Sequence, residues 1–528
     1  MQLLHSLSVL LSAVTLTTAT TQHLFSYESL PPSAYSPTAL HHSVDLGGSL
    51  TRAHAVYQLE KDHGSAVKGD TFVVGVRRAA KDGGWVEASE GKGAGKKPLP
   101  LTVVGSDDTT TYYSLTLSPS SSSAPTTLTV STVSLHQSLP DPPSLPQNAE
   151  SIYMRWEGDL LSPLAGLTRE QREKVREVRV KVTAPTPRIV EARAADGFEM
   201  AYSKGSATVT FTSKGRVADL SAQPAKVHYQ QPQAVATIRK LDRVLELSHW
   251  GNNLAVQDNV ELYNSGPLLD GHFARIDHQK ATMHRRQGLL SITSLSIPLP
   301  PSAHAPYYYD AVGNVSTSRF RPSPSSSSNS GAAVLPSQKR RAAAAQPALV
   351  ELQPRYPLLG GWNYTFTLGY DLALDEYIRV RPAAAGGKGR GRYVAAVPFL
   401  QPLRDVAVEE ARVEIRLPEG ARNLRVHAPF PVDRLAYPNS SSQSSSDDDE
   451  SKDDADTLVR TYLDSTGRPT VVLEKRGCTD RHGGEVIIEY DLSLFAELLQ
   501  KPLAAAAVLG GLFGAVILAK RVRWGIAA

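Results

Sequence analysis

PLAAAAVLGGLFGAVILA, residues Pro502–Ala519, is a run of roughly 18 residues that carries no charge. As a helix rising about 1.5 Å per residue it spans about 27 Å, which matches the thin bilayer of the endoplasmic reticulum. Lys520, Arg521 and Arg523 follow directly, whereas Glu497 and Lys501 on the other flank nearly cancel. Basic flanks stay in the cytosol. Residues 502–519 therefore read as a transmembrane helix, 520–528 as a cytosolic tail and the bulk of the chain as lumenal. Within the run, Gly510 and Gly514 form a GxxxG pair that Ala507, Gly511 and Ala515 extend at i,i+4 spacing. That face either lets a neighbouring helix pack closely or is the incidental composition of a plain, weakly apolar anchor.

At the other end, residues 1–19 (MQLLHSLSVLLSAVTLTTA) have an apolar centre at Leu7–Leu16 and small residues up to Ala19. This is the layout of a cleaved signal peptide, although the usual basic start is missing. Signal and anchor together make a single-pass type I membrane protein. The residues between them suffice for two or three domains with cores of their own. Net charge is +4 and 41% of residues are hydrophobic, so no strong field points to nucleic acid. A single cysteine, Cys478, leaves no internal disulfide. In an oxidising compartment, stability must then come from packing and from partners. That favours a secretory-pathway resident held in a complex over an exposed receptor. Sequons at Asn314, Asn363 and Asn439 lie on the expected lumenal side and are candidate glycosylation sites.

Between the two ends, period-two patterns prevail. Ser43–Leu59, Thr71–Val76, Tyr112–Leu117 and Thr126–Val133 are rich in Val, Thr, Tyr and Leu and read as strands separated by Gly, Pro and Ser clusters. Arg169–Lys174 reads as a short helical turn after Thr168, and Arg176–Val182 and Ala207–Thr212 alternate again. A second block opens near Val235. Arg243–Ser248 (RVLELS) alternates, His249–Asn253 breaks the pattern and Ala255–Tyr263 resumes it. Further strands are expected at Thr365–Asp371, Arg412–Leu417, Asn423–His427, Val459–Leu463, Thr470–Lys475 and Glu485–Tyr490. The expected fold is mainly β: tandem antiparallel β-sandwich-like lumenal domains, 20–234 and 235–498, followed by one C-terminal transmembrane helix. Segments 322–346 (Ser/Ala-rich) and 439–456 (Ser-rich, then acidic) hold too little apolar surface to fold and read as disordered loops.

Candidate chemistry is thin. Gly91–Lys97 (GKGAGKK) has Glu90 where a phosphate-binding loop needs its first glycine, and Lys97 where it needs Ser or Thr. His272, His278 and His284, six apart, would share one face of a continuous strand, but they lack the close pairing usual in zinc sites. The acidic run Asp447–Glu450 lacks the glycine and alternating ligands of a calcium loop. Carboxylate pairs such as Asp371/Asp375 or Glu489/Asp491 are the only basis for a glycosidase reading. No G-x-S-x-G, H-E-x-x-H or Cys–His arrangement occurs. The expectation is no catalytic residue, no cofactor and no metal.

The runs Arg243–Asn252 (RVLELSHWGN) and Asp258–Gln279 (DNVELYNSGPLLDGHFARIDHQ) resemble the most distinctive segment of the ribophorin I family. Further matches follow in order: Tyr307–Tyr309, DAVGNVSTS from Asp310, PRYPLLGGW from Pro354, GYDLALDEY from Gly369, LPEGA from Leu417 and YLDSTGRP from Tyr462. Upstream the similarity thins to Val44–Leu46, Tyr153–Pro163, Arg179–Val182 and Lys226–Tyr229. The resemblance implies a non-catalytic subunit of the endoplasmic reticulum oligosaccharyltransferase, which transfers dolichol-linked oligosaccharide to Asn of N-x-S/T sequons. Its implied partners are a polytopic catalytic subunit, small membrane subunits and the nascent polypeptide. The short tail follows fungal members, and the two polar loops depart from the family pattern as insertions. Asn314 lies inside a matched motif. His249, Trp250 and Trp362 stand out as residues for a subunit or domain contact, or as aromatics buried in their own domain. A stand-alone lumenal glycosidase-type enzyme and a surface adhesion or receptor protein are the alternatives.

Overall fold

The computed structural model describes residues 35–521 except 62–69, 78–82, 92–94, 108–109, 119–125, 203–204, 215–222, 284–289, 324–345, 382–391, 402, 439–456, 462–463, 465 and 494–498. The expected signal segment, nearly all of both polar loops, His284, Asn439 and residues 522–528 therefore lie outside the described residues.

Alternation in the sequence becomes alternation in burial. Glu177–Thr183 buries Val178, Val180 and Val182 and exposes Glu177, Arg179 and Lys181. Asn253–Asn264 buries every second residue along its whole length. β-Branched and aromatic side chains on one face of each strand thus meet a facing sheet, the arrangement that a half-buried strand requires. The result is a mostly β molecule of several sheets with one C-terminal apolar helix, Gln500–Arg521. The Arg169–Glu173 helix is short and closed by a capping box between Thr168 and Gln171.

Strand order across the sheets reveals a duplication. One large sheet runs Phe198–Tyr202, Thr208–Ser213, Glu177–Thr183, Tyr35–Leu46, Leu50–Lys61, Thr126–Leu135, Trp85–Glu90 and Lys97–Leu99. The other runs Arg434–Ala436, Arg468–Cys478, Ala407–Arg416, Ala236–Ser248, Asn253–Asn264, Asn363–Ala373, His304–Asp310 and Gly313–Asn314, with Leu458–Val459 added beside Arg468–Cys478. Each has a long hairpin at its centre, Tyr35–Leu46 with Leu50–Lys61 and Ala236–Ser248 with Asn253–Asn264. In each, the first hairpin strand pairs on its other side in parallel with a much later strand. The smaller sheets correspond as well. Ser138–Pro140, Ile152–Asp159, Pro224–Gln231 and Ile189–Ala194 match Ile378–Arg381, Arg392–Pro398, Glu485–Asp491 and Arg422–His427. Thr71–Arg77, Thr110–Thr116 and Thr102–Ser106 match Leu295–Leu299, Ala348–Leu352 and Arg319–Arg321. Matched strands also follow one another in the same chain order, so the molecule is two copies of one topology.

Each copy has its own core. The first gathers Leu40, Tyr57, Phe72, Leu128, Trp156, Val180, Phe211 and Tyr229 from all three of its sheets. The second gathers Leu245, Val256, Leu299, Val350, Phe366, Val413, Leu473 and Ile488. The copies meet at the turn of the first hairpin. Ser49 Oγ donates to Asp405 O at 3.2 Å and accepts from Ala407 N at 2.7 Å. Arg52 bridges Asp405 and Asp480, the latter at 2.7 Å. Gly84 N donates to Gly477 O at 2.9 Å, and Trp85 packs edge-on against His482 and Phe430. At Gly83, in the left-handed region (φ +100°), a Cβ would lie 2.3 Å from Gly477 Cα, so only glycine allows this approach.

Three local expectations change. Ser43–Leu59, expected as one strand, is the centre of the first hairpin: Gly47-Gly48-Ser49 reverses the chain between Leu46 and Leu50. Of Val459–Leu463, Val459 closes the short strand Leu458–Val459, Arg460 and Thr461 follow outside it, and 462–463 lie outside the described residues. The sheets are not purely antiparallel, because the two central crossovers and the short Ser144–Pro146/Leu268–Asp270 pair are parallel. Parallel neighbours need long connections, and all three pairs join strands far apart in sequence.

Candidate docking surfaces and glycan acceptors

His249 and Trp250 occupy the turn of the second hairpin, the position that Gly47-Gly48-Ser49 holds in the first copy. His249 turns inward. Its Nε2 lies 2.8 Å from Tyr490 Oη, and its ring meets Tyr393 edge-on at 4.8 Å. Tyr393 and Tyr490 are buried and stack on each other. His249 thus fastens the hairpin to the sheet whose last strand leads toward the C-terminal helix. Trp250 turns outward and is 60% exposed. Asn252, with φ +48°, closes the turn, accepting from Asp375 N at 3.1 Å through its side chain and from Leu374 N through its carbonyl.

Trp362 lies elsewhere. Asn253 pairs with Ala373 at one end of the central ladder and Tyr263 with Asn363 at the other. About ten residues at about 3.4 Å each put His249–Trp250 and Trp362 about 34 Å apart, so they do not form one site. Trp362 is partly buried, with Phe273 and Tyr356 edge-on at 5.8 and 6.2 Å. The preceding glycines place it: a Cβ at Gly360 would sit 1.7 Å from Pro267 O. The neighbouring Leu268–Asp270 pairs with Ser144–Pro146 of the first copy, so this motif holds the two copies together.

The C-terminal helix is 22 residues long, somewhat beyond the expected 502–519, and no residue of it is buried. Cβ atoms added at Gly510, Gly511 or Gly514 would meet nothing within 4 Å, so the small face is uncovered among the described residues. Its first turn is tied to the β body. Gln500 Nε2 donates to Thr466 Oγ1 at 3.4 Å, and Lys501 Nζ lies 3.7 Å from the buried Asp464 carboxylate. Thr466 in turn donates twice to the buried Glu419, at 2.6 and 2.9 Å.

The sequons Asn314 and Asn363 are exposed on the outer face of the second large sheet. Asn314 sits beyond a tight hairpin built on Asp310, whose carboxylate accepts from Val312 N, Gly313 N, Tyr364 Oη and a bidentate Arg355. Arg355, assisted by those backbone N–H groups, holds the Asp310 carboxyl well below the usual range.

The fold also brings together three polar residues of the matched motifs. Arg243, Asp258 and Tyr370, each from a different motif, meet inside the second core. Arg243 Nε and Nη2 donate to Asp258 at 2.6 and 2.8 Å, and Nη2 reaches Tyr370 Oη at 3.4 Å. Burial works against the Arg243 charge, but the adjacent Asp258 carboxylate more than offsets this, so the guanidinium stays protonated. The signal was available: Arg243 shares the parity of Leu245 and Leu247, and Asp258 that of Val260 and Leu262.

The chemistry candidates are dispersed. His278 lies on the Arg275–Met283 helix against Phe273, so the strand geometry that would have aligned the histidines is absent. Asp371 accepts from Asn253 at 3.0 Å, while Glu489 and Asp491 face Arg381 and Arg392. Burial pushes the Cys478 thiol up to about 12, which leaves it protonated and inert. Among the described residues, no cluster of three or more His, Cys, Asp or Glu is placed to hold a metal.

The ribophorin I family profile matches residues 36–520. The dolichyl-diphosphooligosaccharide–protein glycosyltransferase subunit 1 of Caenorhabditis elegans is 33% identical over 57% of this chain and 42% of its own length. Subunit 1A of Arabidopsis thaliana is 29% identical over 79% of the chain and 59% of its own length. Subunit 1B of Oryza sativa subsp. japonica is 26% identical over 88% and 87%. The chain therefore spans less than two thirds of the nematode and Arabidopsis relatives and most of the rice one. A match that begins at residue 36 and ends inside the last helical turn takes in both β copies and the span, and the chain belongs to the ribophorin I family.

Proposed function

We infer that this chain is a non-catalytic subunit of an oligosaccharyltransferase of the endoplasmic reticulum membrane, supporting transfer of dolichol-linked oligosaccharide to asparagine in nascent proteins. The observation that carries this is the family match over residues 36–520, together with relatives named as subunit 1 of that glycosyltransferase. In this reading two lumenal domains, 20–234 and 235–498, form a scaffold held by one span, and the bond-making belongs to a polytopic partner. The junction through Ser49, Arg52 and Trp85 supports a stiff body. The tie between Gln500, Lys501 and the 464–466 loop supports a fixed pose above the membrane.

Two docking surfaces follow. The uncovered Gly510/Gly514 face receives a helix of another subunit. The second hairpin turn, with Trp250, contacts a neighbouring subunit, as the equivalent turn of the first copy contacts the second copy through Ser49. Asn314, Asn363 and Asn439 carry glycans, and nascent polypeptide passes over the scaffold. Depleting the chain from cells tests the role: sequon occupancy of secreted reporters falls, and the full-length chain with Asp371→Asn and Asp375→Asn restores it. Unchanged occupancy on depletion, or failure of that carboxylate variant to rescue, contradicts the reading.

A further inference from the structure

Asn314 stands at the head of a row of side chains that crosses the outer face of the second large sheet. It pairs with Tyr309, Tyr309 with Thr367, and Thr367 with Asn259, so the four lie side by side on successive strands. At about 4.8 Å per strand the row is about 14 Å long. Tyr309 is 37% exposed and Tyr307, two residues back on the same face, 45%. Their rings are nearly parallel, 11° apart, with centroids separated by 6.2 Å. Tyr307 lies down over Gly369, where a Cβ would come within 2.0 Å of its ring, and its hydroxyl donates to Gln257 at 3.2 Å. Beyond Tyr307 the surface sinks into a recess of about 340 Å³ bordered by Gln257, Asn259, Asp371 and Arg416. Tyr308, between the two, faces the core and bonds Tyr364 Oη.

Flat aromatic faces beside amide, hydroxyl and carboxylate groups suit the faces and hydroxyls of a sugar ring. Asn363 shares this side of the sheet, but its cross-strand neighbour Tyr263 is already covered by the Arg239 guanidinium at 3.6 Å. Tyr356 donates to Asn363 O at 3.1 Å and is itself wedged edge-on between Trp362 and Tyr364, so among the described sequons Asn314 is the one flanked by two parallel exposed tyrosines.

We propose that the N-glycan on Asn314 folds back onto its own protein, its first sugar residues stacked on Tyr309 and Tyr307 and its continuation seated in the recess beside Gln257 and Arg416. The chain is then its own glycan receptor, and the glycan covers a face that would otherwise show two tyrosines to solvent. This rests on the lumenal placement and glycosylation proposed above.

The test uses the full-length chain in mild detergent, with occupancy of Asn314 read by mass spectrometry before native endoglycosidase H treatment. Release from Asn314 is expected to be about fivefold faster in Tyr309→Ala than in wild type, with Tyr309→Phe close to wild type because stacking needs the ring and not the hydroxyl. A thermal-melt cycle guards against a misfolded variant. Asn314→Gln should lower Tm in the wild-type background and leave it unchanged in Tyr309→Ala. Equal release rates with no coupling in the cycle would overturn the platform alone. An unoccupied Asn314 would overturn the glycosylation reading as well.

Discussion

A single buried guanidinium shows how much the second copy depends on its matched motifs. Arg243 is 1% exposed, and Asp258 is its paired neighbour across the hairpin. A buried ion pair adds little net stability over an apolar pair, yet removing one partner strands the other charge. Arg243→Met is therefore expected to destabilise the chain by about 3–5 kcal/mol in denaturant unfolding, while Arg243→Met with Asp258→Leu recovers much of that loss. Additive losses would show that the two charges are not coupled. His482 gives a pH test at the same scale. Burial beside Trp85 and Phe430, with Lys475 nearby, lowers its pKa to about 4 from 6.5. The folded state thus prefers the neutral ring and the unfolded chain takes up the proton first. The stability this gives is complete above pH 6.5 and is lost as pH falls toward 4, by about 3 kcal/mol at most. His482→Gln should flatten that part of the profile; an unchanged slope between pH 6.5 and 4 would assign the acid sensitivity to other groups.

Among the elements, the helix and the two hairpins carry the docking argument. Gly510→Leu with Gly514→Leu fills the small face without removing apolar length. Membrane insertion should persist, while the yield of assembled complex on native gels drops several-fold. Full assembly of that variant would leave the helix as a plain anchor. Much of this was legible beforehand, because alternation such as RVLELS and the uncharged run declare a strand and a span by themselves. The first hairpin was legible only in part: Gly47-Gly48 is a turn-forming dipeptide, and the buried parity shifts from Val44 and Leu46 to Ala55, Tyr57 and Leu59, but the pairing is what fixes the reversal. Trp250 and His249 were singled out together, yet one faces solvent and the other bonds Tyr490; adjacent residues in a turn carry no period from which to tell inside from outside.

For the whole molecule, duplication is the feature that the sequence conceals. Register and strand order define it, and these tolerate wholesale replacement of side chains: the same turn is Gly47-Gly48-Ser49 in one copy and His249–Asn252 in the other. Two copies joined through Ser49, Arg52 and Trp85, without a disulfide, make a large body, and the role proposed for it is to hold partners in place. The most direct test of that role is purification of the tagged full-length chain from its native membranes in mild detergent, followed by dissociation of whatever accompanies it. A polytopic transferase and oligosaccharyl-transfer activity should co-purify, and the activity should leave with the partner on dissociation. A solitary chain, or one that transfers the oligosaccharide unaided, would contradict the assignment.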